Sequence, residues 1–149
     1  MKAVWGETTT MSKHCETFEH TADLGLEARA DTLGELFEAL AEALAGVICP
    51  AGKTATPLRR EIAVQAEDIE ALAVDFLAEV LNAVQTERFV VQAVCVRDID
   101  GKSVRAELVG EAYDPARHRF ETEVKAVTYH QLKVAREGEK WIGRVILDV

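Results

Sequence analysis

Several features that would assign this chain to a familiar class of protein are scarce in its sequence. No apolar run approaches the roughly 20 residues that a membrane-spanning helix needs, and the first residues, MKAVWGETTTM, lack the apolar centre of a signal peptide. The 3 cysteines, Cys15, Cys49 and Cys95, are an odd and scattered set without a CxxC pair, which argues against a disulfide framework or a structural zinc site. We therefore expect a cytoplasmic protein without membrane contact, whose cysteines are unreactive thiols in a reducing compartment.

Positive charge is also in short supply. The chain has 17 Lys and Arg residues against 26 Asp and Glu, which gives a formal net charge of -9. Proteins that bind nucleic acids usually carry basic patches that replace the counterions along the phosphates. We therefore expect no direct nucleic-acid binding, and a role in RNA metabolism would act through a protein partner.

The length and composition are those of an ordinary globular domain. The chain has 149 residues, of which 48% are hydrophobic, enough for a self-sufficient core. We expect residues 1–14 to be a disordered N-terminal extension and residues 15–149 to form a single domain.

Two amphipathic helices are predicted from the spacing of apolar residues. Thr32 and Glu35 fit a capping box ahead of apolar residues that recur at helical spacing from Leu33 to Val47. Asp68 is a suitable N-cap for a second helix, whose apolar stripe runs from Ile69 to Val84.

The rest of the chain reads as strands in the order β-β-α-β-α-β-β-β-β. Strands that precede and follow the helices without a regular βαβ alternation indicate an α+β fold, a largely antiparallel sheet with both helices packed on one face. Asp98–Gly101, DIDG, has the chemistry of a hairpin turn. A calcium loop starting at Asp98 would need Gly and Glu where the chain has Ser103 and Val109, so we prefer the hairpin.

The end of the chain, VILDV, contains a possible cation site. Asp148 lies beside the carboxylate of Val149, and a hard cation with oxygen ligands would relieve the repulsion between them. Asp23, in the polar turn of FEHTADLG, is a candidate third ligand, although sequence spacing does not establish that the two ends meet. The alternative is that these are ordinary acidic surface residues.

The segment TEVKAVTYH alternates in polarity, as expected of a strand. Lys125 is then either part of a solvated face with a cross-strand partner, or available to a phosphate or to the carboxylate of a partner protein. His14, Cys15 and His20 match no standard metal-ligand spacing. We find no nucleophile–base pair or second His and carboxylate cluster, which argues against a small metal-dependent hydrolase.

Together, FEHTADLG, TEVKAVTYH and VILDV resemble the archease family over nearly the whole chain, from Glu16 to Val149. The resemblance implies a protein cofactor without catalytic activity of its own. It would activate the GTP-dependent tRNA-splicing RNA ligase, accelerating guanylylation of a ligase histidine and allowing repeated rounds of RNA ligation. The alternative implied by the family is a chaperone-like modulator of a tRNA methyltransferase. A structural α+β domain without a site also remains open.

The resemblance also implies roles for particular residues. Asp23, Asp148 and Val149 would bind a divalent cation, which is calcium, magnesium or manganese. Lys125 would take part in activating the ligase. The side chains that would orient the metal-binding turn from outside the ligand set are His20 and Thr21.

Overall fold

The structure, a computed structural model, describes residues 4–6, 13–20, 23–54 and 56–149. Its elements in chain order are β1 (Val4–Gly6), β2 (Lys13–His20), β3 (Asp23–Ala30), α1 (Leu33–Ile48), β4 (Leu58–Gln65), α2 (Ile69–Gln85), β5 (Phe89–Ile99), β6 (Ser103–Ala112), β7 (Ala126–Glu137) and β8 (Lys140–Asp148). From β2 onward this is the predicted order, and the α+β class is confirmed. Within these ranges, no helix is long and apolar enough to cross a membrane.

The strands form two antiparallel sheets where the sequence predicted one. The larger sheet has the order β1-β2-β3-β8-β7 and the smaller has the order β4-β6-β5. Alternating polarity shows which residues share a face, but it does not show which strands pair. The last hairpin, β7–β8, returns to β3 and does not extend the sheet that β5 and β6 begin.

Both helices contact strands of both sheets and join them around a shared apolar core. The predicted caps are confirmed: the Thr32 Oγ1 atom accepts from the Glu35 N–H (3.1 Å), and the Asp68 carboxylate accepts from the Ala71 N–H (2.8 Å). Phe37 of α1 and Phe76 of α2 are fully buried, with ring centroids 5.4 Å apart. The helix pair is therefore held by its apolar stripes, as the spacing predicted.

Two carboxylates of α1 cover the edge of the smaller sheet. Glu38 accepts from the Val96 N–H (2.9 Å) and Glu42 from the Val94 N–H (3.0 Å), so two backbone donors of the edge strand β5 are satisfied by a helix. Lys13 of β2 lies 3.1 Å from Glu38 and 3.5 Å from Glu42. This network ties β2, α1 and β5 together across both sheets. Burial opposes the charge of Lys13, but the two carboxylates outweigh it and raise the pKa of its ammonium group.

The N-terminal region contributes a short strand, β1, to the larger sheet. Residues 4–6 form β1, which pairs with β2 from Val4 opposite Thr17 to Gly6 opposite Cys15, and residues 13–14 belong to β2. β1 occupies an edge of β2 whose backbone groups would otherwise be unpaired. That residues 1–14 are a disordered extension stays a prediction. The remainder of residues 1–14 lies outside the described residues. That residues 15–149 form a single domain stays a prediction.

Gly143 allows α1 to lie close against the middle of β8, the strand that carries Asp148. A methyl group at position 143 would come within 3.0 Å of a Leu40 methyl and 3.1 Å of a Leu36 methyl. Both leucines are fully buried, so neither can move aside without disturbing the core.

We expect Gly143→Ala to lower the free energy of unfolding by about 1–3 kcal/mol, because the added methyl overpacks the contact between α1 and β8. Urea denaturation measures this. Gly46→Ala is the matched control: this glycine is in α1, the helix that packs against Gly143, and nothing lies within 4 Å of an added methyl. It should stabilise the protein by about 0.5–1 kcal/mol. A Gly143→Ala midpoint equal to that of the wild type would contradict the packing argument.

Candidate functional site

The residues singled out at the two ends of the sequence meet at one end of the larger sheet. In the β3–β8 pair, Asp23 lies directly opposite Asp148. On one side of this pair, the backbone of His20 in β2 is opposite Asp23, and on the other side Ala126 in β7 is opposite Asp148. Four neighbouring strands therefore bring these positions into one row across the sheet.

The Asp23–Asp148 pair is electrostatically unfavourable by itself. Residues directly opposite in antiparallel strands share a face with Cβ atoms about 4.5–5.5 Å apart, and like charges there destabilise the sheet by roughly 0.2–1 kcal/mol. The next pair, Leu24 opposite Leu147, explains why the strands pair nonetheless. Leu147 is fully buried, and burying a leucine side chain stabilises the fold by about 1.5–3 kcal/mol. Apolar burial thus holds two carboxylates close together against their repulsion.

Another cross-strand carboxylate pair shows one way in which such repulsion is offset. Glu61 of β4 is opposite Glu107 of β6, and Glu107 accepts hydrogen bonds from Arg59 (3.0 Å) and Arg97 (2.6 Å). Asp148 makes no ion pair with any residue in the described part of the chain. A cation at this position would offset the repulsion as the arginines do in the smaller sheet.

The donor set at the sheet end fits a hard cation. In the described ranges, no three His, Cys, Asp or Glu side chains approach closely enough to hold a metal ion. A metal here would therefore use the two half-buried carboxylates of Asp23 and Asp148 together with main-chain oxygens, for which Val149 is next in the chain. Calcium, magnesium and manganese accept such all-oxygen sets.

The backbone of Lys125 also contacts this end of the larger sheet. Its N–H donates to the Asp148 carbonyl oxygen (2.7 Å), while its side chain is exposed and its ammonium group makes no ion pair with any residue that the structure describes. The cross-strand partner considered from the sequence is therefore not found among those residues. TEVKAVTYH was expected to be a strand over its whole length, but β7 begins at Ala126, so Lys125 precedes the strand.

Gln85, the last residue of α2, holds the segment that leads to Lys125. Its side-chain amide donates to the Val124 carbonyl oxygen (2.9 Å), and its side-chain oxygen accepts from the Val124 N–H (2.8 Å). One side chain thereby takes the place of a neighbouring strand for Val124, whose own side chain is buried. The role of Gln85 could not be predicted from the sequence, because a partner 39 positions away leaves no signal in local spacing.

The remaining candidates are less informative. Thr21 lies outside the described residues, and of His20 only the backbone is described. The Nε2 atom of His14 lies 3.6 Å from a Glu16 carboxylate oxygen. All three cysteines are free, and burial raises the pKa of the Cys15 thiol to about 12 and also raises that of Cys49, which disfavours the reactive thiolate at both positions.

Comparison with known proteins identifies close relatives over nearly the whole chain. The family model described as the Archease protein family (MTH1598/TM1083) matches residues 15–149. Protein archease of Methanosarcina acetivorans is 38% identical over 144 residues, which are 94% of this chain and 99% of that protein. Protein archease of Pyrococcus furiosus is 38% identical over 138 residues, 90% of this chain and 97% of that protein.

Solved structures share the fold. The solution structure of Methanobacterium thermoautotrophicum protein 1598 superposes with a TM-score of 0.72 at 32% identity, covering 89% of this chain and 96% of that chain. The crystal structure of an archease from Thermotoga maritima, described as a possible chaperone, has a TM-score of 0.60 and covers 89% and 94%. At 22% identity, this second likeness shows the fold alone.

We expect Gln85→Ala to expose the Val124 amide to exchange with solvent, because both hydrogen bonds from the side chain are lost. The local opening free energy should fall by about 1–3 kcal/mol, the sum of two ordinary hydrogen bonds. Amide hydrogen exchange followed by NMR measures this at Val124 and Lys125. Asn82→Ala, in the same last turns of α2 but bonded to Glu87, is the control and should leave both rates unchanged. Exchange rates in Gln85→Ala equal to those of the wild type would contradict the Gln85 clamp, the pair of hydrogen bonds by which this side chain holds Val124.

Replacing Asp148 by Asn should distinguish the effect of charge repulsion on stability from the effect of metal binding. Without metal we expect the variant to be more stable than the wild type by roughly 0.2–1 kcal/mol, because one of two opposed charges is gone. With calcium or manganese at about 100 times the dissociation constant, the wild type should gain about 2.7 kcal/mol and the variant much less. Thermal unfolding with and without a chelator measures both effects.

Glu61→Gln is the control for this experiment, because it removes a cross-strand carboxylate from the other sheet and should leave the metal response intact. A wild-type protein whose unfolding temperature does not respond to any of the three cations would contradict the metal site.

Proposed function

The chain belongs to the archease family, and from this membership and the geometry of the sheet end we propose that it is a metal-binding accessory protein that activates the GTP-dependent tRNA-splicing RNA ligase. The observation that carries the proposal is the row of Asp23, Asp148 and the Lys125 backbone at one end of the larger sheet. These are the positions that the family resemblance implicates, and they are drawn from opposite ends of the chain.

In this proposal the carboxylates of Asp23 and Asp148 and the main-chain oxygens of Val149 hold one divalent cation, calcium, magnesium or manganese. The bound cation supplies positive charge at the sheet end. Burial of Leu24 and Leu147 beside the pair keeps the carboxylates in place before the cation arrives, so little reorganisation is needed.

Lys125 supplies a second positive charge, which is directed outward. Transfer of a guanylyl group from GTP to the ligase histidine releases pyrophosphate, and negative charge builds on the leaving oxygens in the transition state. A fixed ammonium group near those oxygens would stabilise that charge. Two contacts support this role: Gln85 holds Val124, and the Lys125 N–H is bonded to Asp148, so the side chain extends from an anchored backbone.

The overall charge supports a protein partner with a basic cleft. A ligase that binds RNA and GTP must present positive potential to phosphates, and a chain of net charge -9 is attracted to such a surface. We propose a cofactor and not an enzyme, since the side chains described in this row are carboxylates and a lysine, with no nucleophile beside a base among them. The family's chaperone-like role toward a tRNA methyltransferase gains no comparable support from this row of residues.

We expect Lys125→Met to reduce stimulation of multiple-turnover RNA ligation by about 100-fold, the usual effect of removing one donor that stabilises transition-state charge. The assay uses the ligase, GTP, metal and a cleaved RNA in excess over the ligase. Lys53→Met, which removes an exposed lysine from the loop between α1 and β4, is the matched control and should stimulate like the wild type.

Lys125→Arg tests whether charge alone suffices. Partial stimulation is expected, because the guanidinium group keeps the charge but changes its position. Full stimulation by the methionine variant would exclude Lys125 from the mechanism. Absence of stimulation by the wild-type protein would exclude the function itself.

A further inference from the structure

The edge strand β7 contains an unusually large bulge. Thr128 is opposite Ile146 and Lys133 is opposite Arg144, so four residues of β7, from Tyr129 to Leu132, lie against a single residue of β8. An ordinary bulge adds one residue. Within this one, Gln131 has a φ of 53°, in the left-handed region that a non-glycine residue adopts at a cost in free energy. Such bulges and strained residues are concentrated at functional sites.

Contacts at both ends of the bulge hold it in one conformation. The Thr128 hydroxyl donates to the Ile146 carbonyl oxygen (2.9 Å) and accepts from the His130 N–H (3.2 Å). Arg144 donates to the side-chain oxygen of Gln131 (3.3 Å). Leu132 packs against the core. The segment is therefore anchored and is not a loose loop.

Tyr129 lies within the bulge and is exposed to solvent, with a relative exposure of 59%. Among the residues that the structure describes, the other large hydrophobic residue with more than half of its surface exposed is Leu58 of the smaller sheet, at 53%. A tyrosine on a fixed backbone has little conformational entropy to lose on binding, and tyrosine is enriched among the residues that dominate protein–protein affinity.

Tyr129 also lies close to the candidate site. It follows Lys125 by four residues, so the two backbones are at most about 14 Å apart. Both side chains are exposed, and both belong to the segment that starts at Lys125, whose N–H is bonded to the Asp148 carbonyl oxygen. An anchor at this distance would set the position of Lys125 relative to a bound partner.

We propose that Tyr129 is the anchor by which this protein docks on the RNA ligase, its ring entering a pocket on the rim of the ligase's basic phosphate-binding cleft. The inference rests on the proposed function. Charge complementarity selects the rim of that cleft: the net charge of -9 attracts the protein as a whole to positive potential, and the exposed ring of Tyr129, four residues after Lys125, supplies the apolar contact. The bulge positions the tyrosine, while Lys125 acts on the reaction.

The test separates docking from activation. Ligation is measured at a fixed ligase concentration while the accessory protein is titrated, which gives a concentration for half-maximal stimulation and a plateau. Tyr129→Ala should raise the half-maximal concentration by about tenfold or more and leave the plateau unchanged. Tyr129→Phe, which keeps the ring, should stay within about threefold of the wild type. Leu58→Ala is the control for removing an exposed apolar side chain and should match the wild type.

Direct binding to immobilised ligase should change in parallel, and the calcium response of Tyr129→Ala should equal that of the wild type. Tyr129→Gln serves as a second variant, and both should unfold at the wild-type temperature because the side chain is exposed. A wild-type half-maximal concentration in both variants would overturn the docking role while leaving the proposed function standing. A lowered plateau at unchanged half-maximal concentration, or a marked loss of thermal stability in both variants, would also overturn it. No stimulation by the wild type would remove the proposed function and this inference together.

Discussion

The antiparallel pairing of β3 with β8 is the constraint on which the candidate site depends. It brings residues 23 and 148 together from opposite ends of the chain, at the ends of two neighbouring inner strands of a five-stranded sheet. The pairing is driven by burial of side chains such as Leu147 and places two carboxylates opposite each other as a consequence. Because the burial of one leucine exceeds the repulsion of the pair, the fold can keep the carboxylates together without a metal and remain ready to bind one.

The rest of the site is arranged by backbone contacts to that pair. Lys125 is bonded through its N–H to Asp148, and the preceding residue is held by the side chain of Gln85 at the end of α2. Beyond Lys125, the bulge in β7 turns Tyr129 outward. A carboxylate pair and an exposed lysine therefore lie at this end of the sheet, and an exposed aromatic ring follows four residues further along the chain.

Interactions between residues close in sequence could be predicted, and those between distant residues could not. The caps at Thr32 and Asp68 act over three residues, and the hairpin at Asp98–Gly101 is closed by the Asp100 N–H and the Ser103 carbonyl oxygen. The division into two sheets, the Gln85 clamp and the start of β7 at Ala126 all depend on distant partners. Family resemblance selected Asp23, Asp148 and Lys125, and the structure brings the two aspartates and the lysine backbone together. Their roles in metal binding and ligase activation stay predictions. Sequence alternation also missed the bulge, because its extra residues interrupt the period of two.

Paramagnetic relaxation by Mn²⁺ tests the central claim most directly, since it reports on every amide within reach of the ion. Titration of the ¹⁵N-labelled protein with substoichiometric Mn²⁺ should selectively broaden the amide signals of Asp23, Leu24, Leu147, Asp148 and Lys125. Signals from β4, β5 and β6 in the smaller sheet should remain sharp, and excess calcium should restore the broadened signals. Uniform weak broadening, or a maximum anywhere other than the β3–β8 end of the sheet, would contradict the account.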